Sequence, residues 1–393
     1  MHLISASAIE LLSLQLLQGY VAEISPNVKL RGPLGSIILS AIGLGIFLSF
    51  LLGAYLSYSV VAFTFAGVSV LHLFLLLTLP ESPRRKRKPL ANVRSLFKSK
   101  SSTTTVLSAE ERAAYSVSRF ARQAVIVVLL FALQQLIGPD VLTFYAGPLL
   151  IAGGDAVQDE ESSFPPNAAA SLAIGLVQTI GPFVSILLLE KIGRKLALFI
   201  GALGMGLGSL GLIIYFGVID TFAPVSNAQS DNSSMARASC LFTPTPNPEL
   251  GEALRPLAVV SMAVFIFSFI SCWGPPLFSF GAEIFTDRWR GLGLGMAFAA
   301  NWLSTAIITS LFPVIARQFG ETIGFSILFV IAILTAICIP FVVPETRGKP
   351  LGWSSKQDFS IKRNLMEFFQ SFKHCLCFCC IRRSPNQGVE HDL

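Results

Sequence analysis

Long runs without a charged side chain alternate with short, strongly charged segments along this chain. The run 32–80 contains no Asp, Glu, Lys or Arg across 49 residues, enough for two crossings of a hydrocarbon layer at about 20 residues per helix. Five further charge-free runs, each one helix long, are 162–189, 196–219, 256–282, 291–316 and 322–344. Two less uniform segments are 1–22, whose one charged residue is Glu10, and 122–151, which carries Asp140 after the Arg122 at its start. The pattern predicts an all-α membrane protein with about nine transmembrane helices.

Composition supports the same class. Only 13% of the 393 residues are charged and 53% are hydrophobic, against about 25% charged residues in an average soluble domain. A soluble globular protein is therefore excluded. Segment 1–22 lacks a basic start and a small-residue cleavage site, so we interpret it as a membrane span, with an uncleaved anchor as the alternative.

The basic residues predict the orientation of the helices. If successive spans alternate, the segments 23–32, 80–122, 190–195, 283–290 and 344–393 share one side and hold 26 of the 29 Lys and Arg residues. Basic loops resist translocation, so this side, with the C-terminus, is predicted to be cytoplasmic. The net charge of +6 is then a topological signal, and nucleic-acid binding is not expected. The basic run 84–88 is a positive-inside anchor or a contact with anionic lipid headgroups.

Two segments predict covalent modification. Asn232 begins an Asn-Ser-Ser acceptor for N-glycosylation in the polar loop 220–255, on the expected outer side. In the cytoplasmic tail, four cysteines follow His374 among several Phe residues, which favours reversible palmitoylation of Cys375, Cys377, Cys379 and Cys380. A zinc site is the alternative, but it lacks a second ligand pair at loop spacing, so we predict neither a metal nor a cofactor.

Short acid-plus-Arg motifs recur at the predicted cytoplasmic helix ends. They are Glu23-Ile-Ser-Pro with Arg31-Gly, Pro-Glu81-Ser-Pro-Arg84, Glu190-x-x-Gly-Arg194-Lys, Glu283-Ile-Phe with Arg290-Gly, and Pro-Glu345-Thr-Arg-Gly. Inside the apolar runs lie the sequences Gln134-Gln135-Leu-Ile-Gly-Pro-Asp140 and Asn301-Trp302. Together, in this order, these motifs resemble the sugar porter family of the major facilitator superfamily, over the chain to about residue 351.

The resemblance implies a truncated major facilitator superfamily fold. Family order assigns the first span here to helix four of twelve, so the first three helices are missing, through a truncated gene model, a splice form or a real loss. Residues 1–79 are then the remnant of the N-terminal bundle and 80–121 a basic cytoplasmic linker. Residues 122–343 form the C-terminal six-helix bundle, and 344–393 form a cytoplasmic tail.

The resemblance also implies a substrate site between the bundles. It assigns sugar binding to Gln134, Gln135, Asp140, Asn301 and Trp302, although the glutamines could instead bond between helices and Trp302 could serve packing. Four family positions differ: Asp140 replaces an Asn, Phe144 a Tyr, Phe278 a Trp and Leu39 a Gln. Asp140 is either a proton relay or an isostere of the Asn.

The acid-plus-Arg residues have an implied mechanical role, pairing between the bundles when the inside is closed, with topological anchoring as the alternative. The set is Glu23, Arg31, Glu81, Arg84, Glu190, Arg194, Glu283, Arg290 and Glu345. Our leading hypothesis is a facilitative transporter of a hexose or related sugar, and not an enzyme. The alternatives are a non-transporting remnant that associates with a full-length porter, and a proton-coupled symporter.

Overall fold

The computed structural model describes residues 28–78, 117–152, 166–221, 248–286, 289–347 and 360–380. Within these ranges seven segments are long and apolar enough to cross a membrane. They are Tyr58–Leu75, Val117–Tyr145, Ser171–Leu188, Arg194–Ile219, Ala253–Ile284, Arg290–Phe319 and Glu321–Val342, with Leu39–Tyr55 as a shorter apolar helix. The chain is thus an integral, multi-pass, all-α membrane protein, as the sequence predicted.

Eleven helices carry the described fold. They are α1 (Val28–Tyr55), α2 (Tyr58–Leu77), α3 (Val117–Leu136), α4 (Pro139–Ala152), α5 (Pro166–Ile192), α6 (Arg194–Thr221), α7 (Pro248–Cys272), α8 (Gly274–Ile284), α9 (Arg290–Phe319), α10 (Glu321–Val342) and α11 (Ile361–Cys380). Eight of the nine predicted spans coincide with helices in this list. The first, 1–22, lies outside the described residues, so the count of nine stays a prediction.

Two predicted spans consist of a broken pair of helices. Between α3 and α4, Gly138 adopts φ +96°, a backbone conformation that suits glycine. Pro139 follows directly, and it has no N–H group to donate to the preceding turn. Between α7 and α8, Trp273 separates the two helices, and Pro275 and Pro276 lie in the first turn of α8. Both breaks lie within apolar spans, where only protein or a cavity can satisfy a backbone group that loses its helical partner.

The core forms where α6 packs against α7 and α10, and where α3 packs against α9. Fully buried aromatic residues fill it, including Phe131, Phe265 and Phe312. Trp273, at the break between α7 and α8, is also fully buried and donates its indole N–H to the carbonyl of Leu198 at 2.7 Å. That bond satisfies the one polar atom of the indole ring.

Helix α1 joins the bundle by a close backbone contact with α5. A Cβ at Gly175 would lie 2.8 Å from Cα of Phe47, and one at Gly43 would collide with the backbone carbonyl of Gln178. Small residues allow membrane helices to approach this closely. Helix α2, in contrast, is exposed along its apolar length, with Phe63 at 79% of its full accessible area. The proposed division at residues 79, 121 and 343 stays a prediction.

Candidate functional site

Three amide side chains meet between α3 and α9. Asn301 donates from Nδ2 to Oε1 of Gln134 at 3.0 Å and to the carbonyl of Phe131 at 2.9 Å. Its Oδ1 accepts a bond of 3.3 Å from Nε2 of Gln135. All three amides are buried. The structure therefore brings together three of the five binding residues that the resemblance implied.

A line of hydroxyl groups continues this amide cluster along α9. Thr305 donates to Oδ2 of Asp140 at 3.2 Å and also lies 3.2 Å from the carbonyl of Asn301. One turn further on, the carbonyl of Thr309 accepts a bond of 3.0 Å from the hydroxyl of Tyr145. Asp140 thus belongs to the same polar strip as the amides, placed there by the helix break at Gly138.

Gln178, which belongs to none of the sequence motifs, extends the strip to α5. It is buried, and its Nε2 donates to Oγ1 of Thr143 on α4 at 3.0 Å. The threonine hydroxyl in turn lies 3.1 Å from the carbonyl of Pro139. The sequence signal was weak, because a single amide inside an apolar run is also typical of interhelical packing.

Two amide oxygens of this polar strip have no hydrogen-bond partner among the described atoms. They are Oε1 of Gln135 and Oε1 of Gln178, and both are shielded from solvent. A buried amide acceptor without a donor carries a desolvation cost of about 1–3 kcal/mol. Such atoms are the groups that a hydroxyl-bearing ligand would satisfy by donation.

An aromatic cluster borders the amides on one side. The ring of Phe131 meets those of Phe278 and Phe298 edge-on, at centroid distances of 5.4 and 5.2 Å. Phe278, which the resemblance aligns with a Trp, therefore packs within the cluster. Trp302 is half-buried and follows Asn301 in α9, so it is rotated by about 100° from the amide.

A second polar cluster forms at one end of the bundle. Arg194, at the start of α6, makes an ion pair of 2.7 Å with Glu283 in α8. The carboxylate of Glu345, just after α10, accepts the backbone N–H groups of Arg194 and Lys195 at 3.1 Å each. It also accepts those of Thr346 and Arg347 in its own turn. A negative charge at a helix N-terminus is favourable.

The geometry differs from the expected pairing between bundles in one respect. The Arg194–Glu283 pair joins α6 to α8, and both lie within the expected C-terminal bundle. Arg290 donates to the backbone carbonyls of Ala282 and Phe285, which fixes the turn before α9. The start of α6, the end of α8 and the segment after α10 are in contact, so all three lie on the same side of the membrane.

The structure does not describe the side chains of the remaining predicted residues. Glu23, Glu81, Arg84 and Asn232 fall outside the described ranges. Arg31, Glu190, Cys375, Cys377, Cys379 and Cys380 lie on described helical backbone, but their side chains are not described. The glycosylation, palmitoylation and gating roles of these residues stay predictions.

Sequence comparison assigns the family. The family model described as "Sugar (and other) transporter" matches residues 15–354, most of the chain. The chain belongs to this transporter family. The resemblance seen in the motifs is therefore confirmed, and the family is one of membrane transporters rather than enzymes.

Individual relatives are distant but extensive. The chain is 25% identical over 344 residues to solute carrier family 2, facilitated glucose transporter member 8 from Mus musculus, and covers 68% of that protein. It is 26% identical to the facilitated trehalose transporter Tret1 of Bombyx mori, of which it covers 63%. For Tret1 of Anopheles gambiae the identity is 27% and the covered share 40%. Each alignment covers 84% of this chain, which is thus shorter than all three relatives.

Solved structures support the fold. The proton:xylose symporter XylE bound to 6-bromo-6-deoxy-D-glucose superposes with a TM-score of 0.60 at 24% identity. The superposition covers 85% of this chain and 68% of that one. An inward-open structure of XylE from E. coli gives a TM-score of 0.54. The described helices therefore share the fold of these XylE structures.

Proposed function

We propose that this chain moves a hexose or a related sugar down its gradient across the membrane by alternating access. The substrate would bind at the polar strip of Gln134, Gln135, Asp140 and Asn301, with Gln178 as an added contact. Trp302 would supply a stacking ring at the edge of the site. Family membership and the names of the relatives support a sugar as substrate, and the strip supports its location.

The observation that carries this proposal is that the amide oxygens of Gln135 and Gln178 have no hydrogen-bond partner in the described part of the chain. A sugar hydroxyl both donates and accepts, so it can bond to these oxygens while it accepts from an amide N–H. Interhelical bonding alone would explain the contacts of Asn301, but it leaves these two acceptors unsatisfied. A polyol of suitable shape would satisfy both.

Two structural features support alternating access. The breaks at Gly138 and Trp273 lie in the helix pairs that carry or border the polar strip, and a broken helix can bend where a continuous helix resists. The cluster of Arg194, Glu283 and Glu345 lies at one end of the bundle. Charged contacts of this kind can form and separate as one end of a transporter closes and opens.

Uptake of radiolabelled glucose into liposomes that contain only the purified chain tests the proposal. We expect saturable uptake that is lost in Asn301→Ala, because Asn301 holds both glutamines. Leu303→Ala, on the same helix but 64% exposed, is the matched control and should retain uptake. Saturable uptake that persists in Asn301→Ala would disprove the assignment of the site.

A second candidate function is a non-transporting chain that associates with a full-length porter. The exposed apolar surface of α2, including Phe63 and Leu77, favours it. This alternative predicts no saturable uptake by the purified chain alone. It also predicts uptake changes and co-purification when the chain is expressed together with a complete relative.

A proton-coupled symporter is the third candidate. Asp140 favours it, because this ionisable side chain lies in the polar strip and faces the hydroxyl of Thr305. Coupling would require that sugar uptake carry protons into the vesicle. The facilitative proposal requires that it carry none.

A further inference from the structure

Helix α11 is fixed to the end of the bundle by one side only. Asn364 donates to the carbonyl of Phe341 at the end of α10, at 3.0 Å, and its own carbonyl accepts from Nζ of Lys195 at 2.5 Å. One turn later, the ring of Phe368 meets that of Phe199 on α6 at 5.0 Å. Asn364 and Phe368 are both buried, so the side of α11 that they define is the bundle side.

A second apolar surface of α11 has no cover among the described residues. Ile361 retains 62% of its accessible area, Phe369 53% and Phe372 39%. On a helix of 3.6 residues per turn, these residues lie next to the bundle side. Glu367 extends the bundle side, because its Oε2 accepts from the backbone N–H of Glu345 at 3.4 Å, and Arg363 and Gln370 fall on the remaining polar side. The helix therefore has one face for the bundle, one apolar face that is open and one polar face.

The helical register places the four tail cysteines at positions on different sides of α11. Cys379 follows Phe372 by seven residues and Cys380 follows Phe369 by eleven, so both positions continue the open apolar face. Cys375 follows Phe368 by seven residues and continues the bundle side. Cys377 follows Gln370 by seven residues and lies towards the polar side. The four cysteines are therefore not equivalent.

We propose that the open face of α11 lies on the cytoplasmic leaflet of the bilayer and that Cys379 and Cys380 are its sites of S-acylation. Each thiol attacks the carbonyl carbon of a long-chain fatty-acyl coenzyme A thioester. A new Cys–acyl thioester forms, the bond to the coenzyme A sulfur breaks, and the thiol proton passes to the released coenzyme A thiolate. This narrows the prediction of four palmitoylated cysteines to two.

Lipid is the occupant that fits this face. Helix α11 contacts the ends of α5, α6 and α10, so the bilayer that surrounds these helices begins beside it. An amphipathic helix at this depth buries its apolar side among the headgroups and acyl chains. Lys362 and Lys373, both exposed, can meet anionic headgroups. A single acyl chain anchors weakly, whereas two neighbouring chains hold a segment at the membrane.

Counting thioesters on the full chain tests the proposal. The protein is expressed in cultured eukaryotic cells, free thiols are blocked with maleimide, thioesters are cleaved with hydroxylamine, and the released thiols receive a polyethylene glycol mass tag. We expect two hydroxylamine-dependent tags on the wild type, none on Cys379→Ser/Cys380→Ser, and two on the control Cys375→Ser. Absence of tags on the wild type, or their survival in the double variant, overturns the proposal.

A second pair of variants tests the membrane face itself. Phe369→Asp places a charge on the open apolar face and should lower tag occupancy severalfold, while Gln370→Asp, on the polar side, should leave it unchanged. Equal occupancy in the two variants overturns the proposed orientation. Cysteines that resist maleimide until a chelator is added would indicate bound zinc and would also overturn it.

Discussion

Gln178 on α5 donates a hydrogen bond of 3.0 Å from Nε2 to Oγ1 of Thr143 on α4, and its buried Oε1 has no hydrogen-bond partner among the residues that the structure describes. The bond fixes the orientation of the amide, so that the free oxygen has a defined position beside the polar strip. The side chain thus has one structural contact and one acceptor that is available to a ligand.

Replacing Gln178 should weaken sugar binding. Gln178→Leu removes one hydrogen bond to the substrate, worth about 1 kcal/mol, which corresponds to a roughly fivefold rise in KM. Transport kinetics in proteoliposomes measure the change. Thr179→Val is the matched control, because the hydroxyl of Thr179 bonds to the carbonyl of Gly175 within its own helix. An unchanged KM in Gln178→Leu would remove this residue from the proposed site.

Asp140 separates facilitated transport from proton coupling. If transport is facilitative, sugar uptake leaves the pH inside the vesicle unchanged, and Asp140→Asn transports at a comparable rate, because an Asn can also accept from Thr305. A pH-sensitive dye trapped in the liposomes measures the proton movement. Acidification by the wild type that disappears in Asp140→Asn would contradict the facilitative proposal and establish the symporter.

The turn before α6 should not accept a side chain. Gly193 adopts φ +84°, and a Cβ there would lie 2.7 Å from Oε2 of Glu345. We expect Gly193→Ala to cost about 1–2 kcal/mol for the backbone conformation alone, with further loss as the carboxylate moves. Thermal unfolding in detergent should show a lower Tm. Gly295→Ala, on α9 with open space around it, should not lower Tm. Equal effects of the two changes would contradict the prediction.

The ion pair of Arg194 and Glu283 should stabilise the bundle by a measurable coupling. Their side chains are only 17% and 19% exposed, so solvent screens the pair less than an open surface pair. A double-mutant cycle with Arg194→Gln and Glu283→Gln should give a coupling free energy of about 1 kcal/mol between the two side chains.

The more exposed pair of Arg363 and Glu367 in α11 provides a comparison for this cycle. Its partners are four residues apart on one helix, for which about 0.3–0.5 kcal/mol is expected. A coupling of Arg194 and Glu283 no larger than this value would show that burial adds nothing to the pair.

The sequence predicted the membrane helices well because charge is excluded from them. Each of the six charge-free runs named above corresponds to one or two described helices, and the breaks near Pro139 and Pro275 follow from the missing backbone donor. The amide residues of the site were found through family motifs. The contacts of Gln134 and Gln135 with Asn301 could be seen only once α3 was packed against α9, because the partners are more than 160 residues apart in the sequence.

Other features could not be read from the sequence. Gln178, Thr143 and Thr305 are uncharged polar residues in apolar helices, and nothing in their spacing distinguishes a site from interhelical packing. The pairing of Arg194 with Glu283 within one bundle depends on where α8 ends relative to α6. Motif order cannot supply that relationship.

The contact of α1 with α5 limits how the protein can compensate for mutation. Glycine, the smallest residue, already occupies positions 43 and 175, and each of these glycines faces backbone atoms of the other helix. A larger residue at either position therefore has no partner side chain whose reduction could restore the fit. A genetic screen for suppressors of Gly43→Val should recover revertants at codon 43, or changes that shift an entire helix, but no compensating substitution at the facing residue.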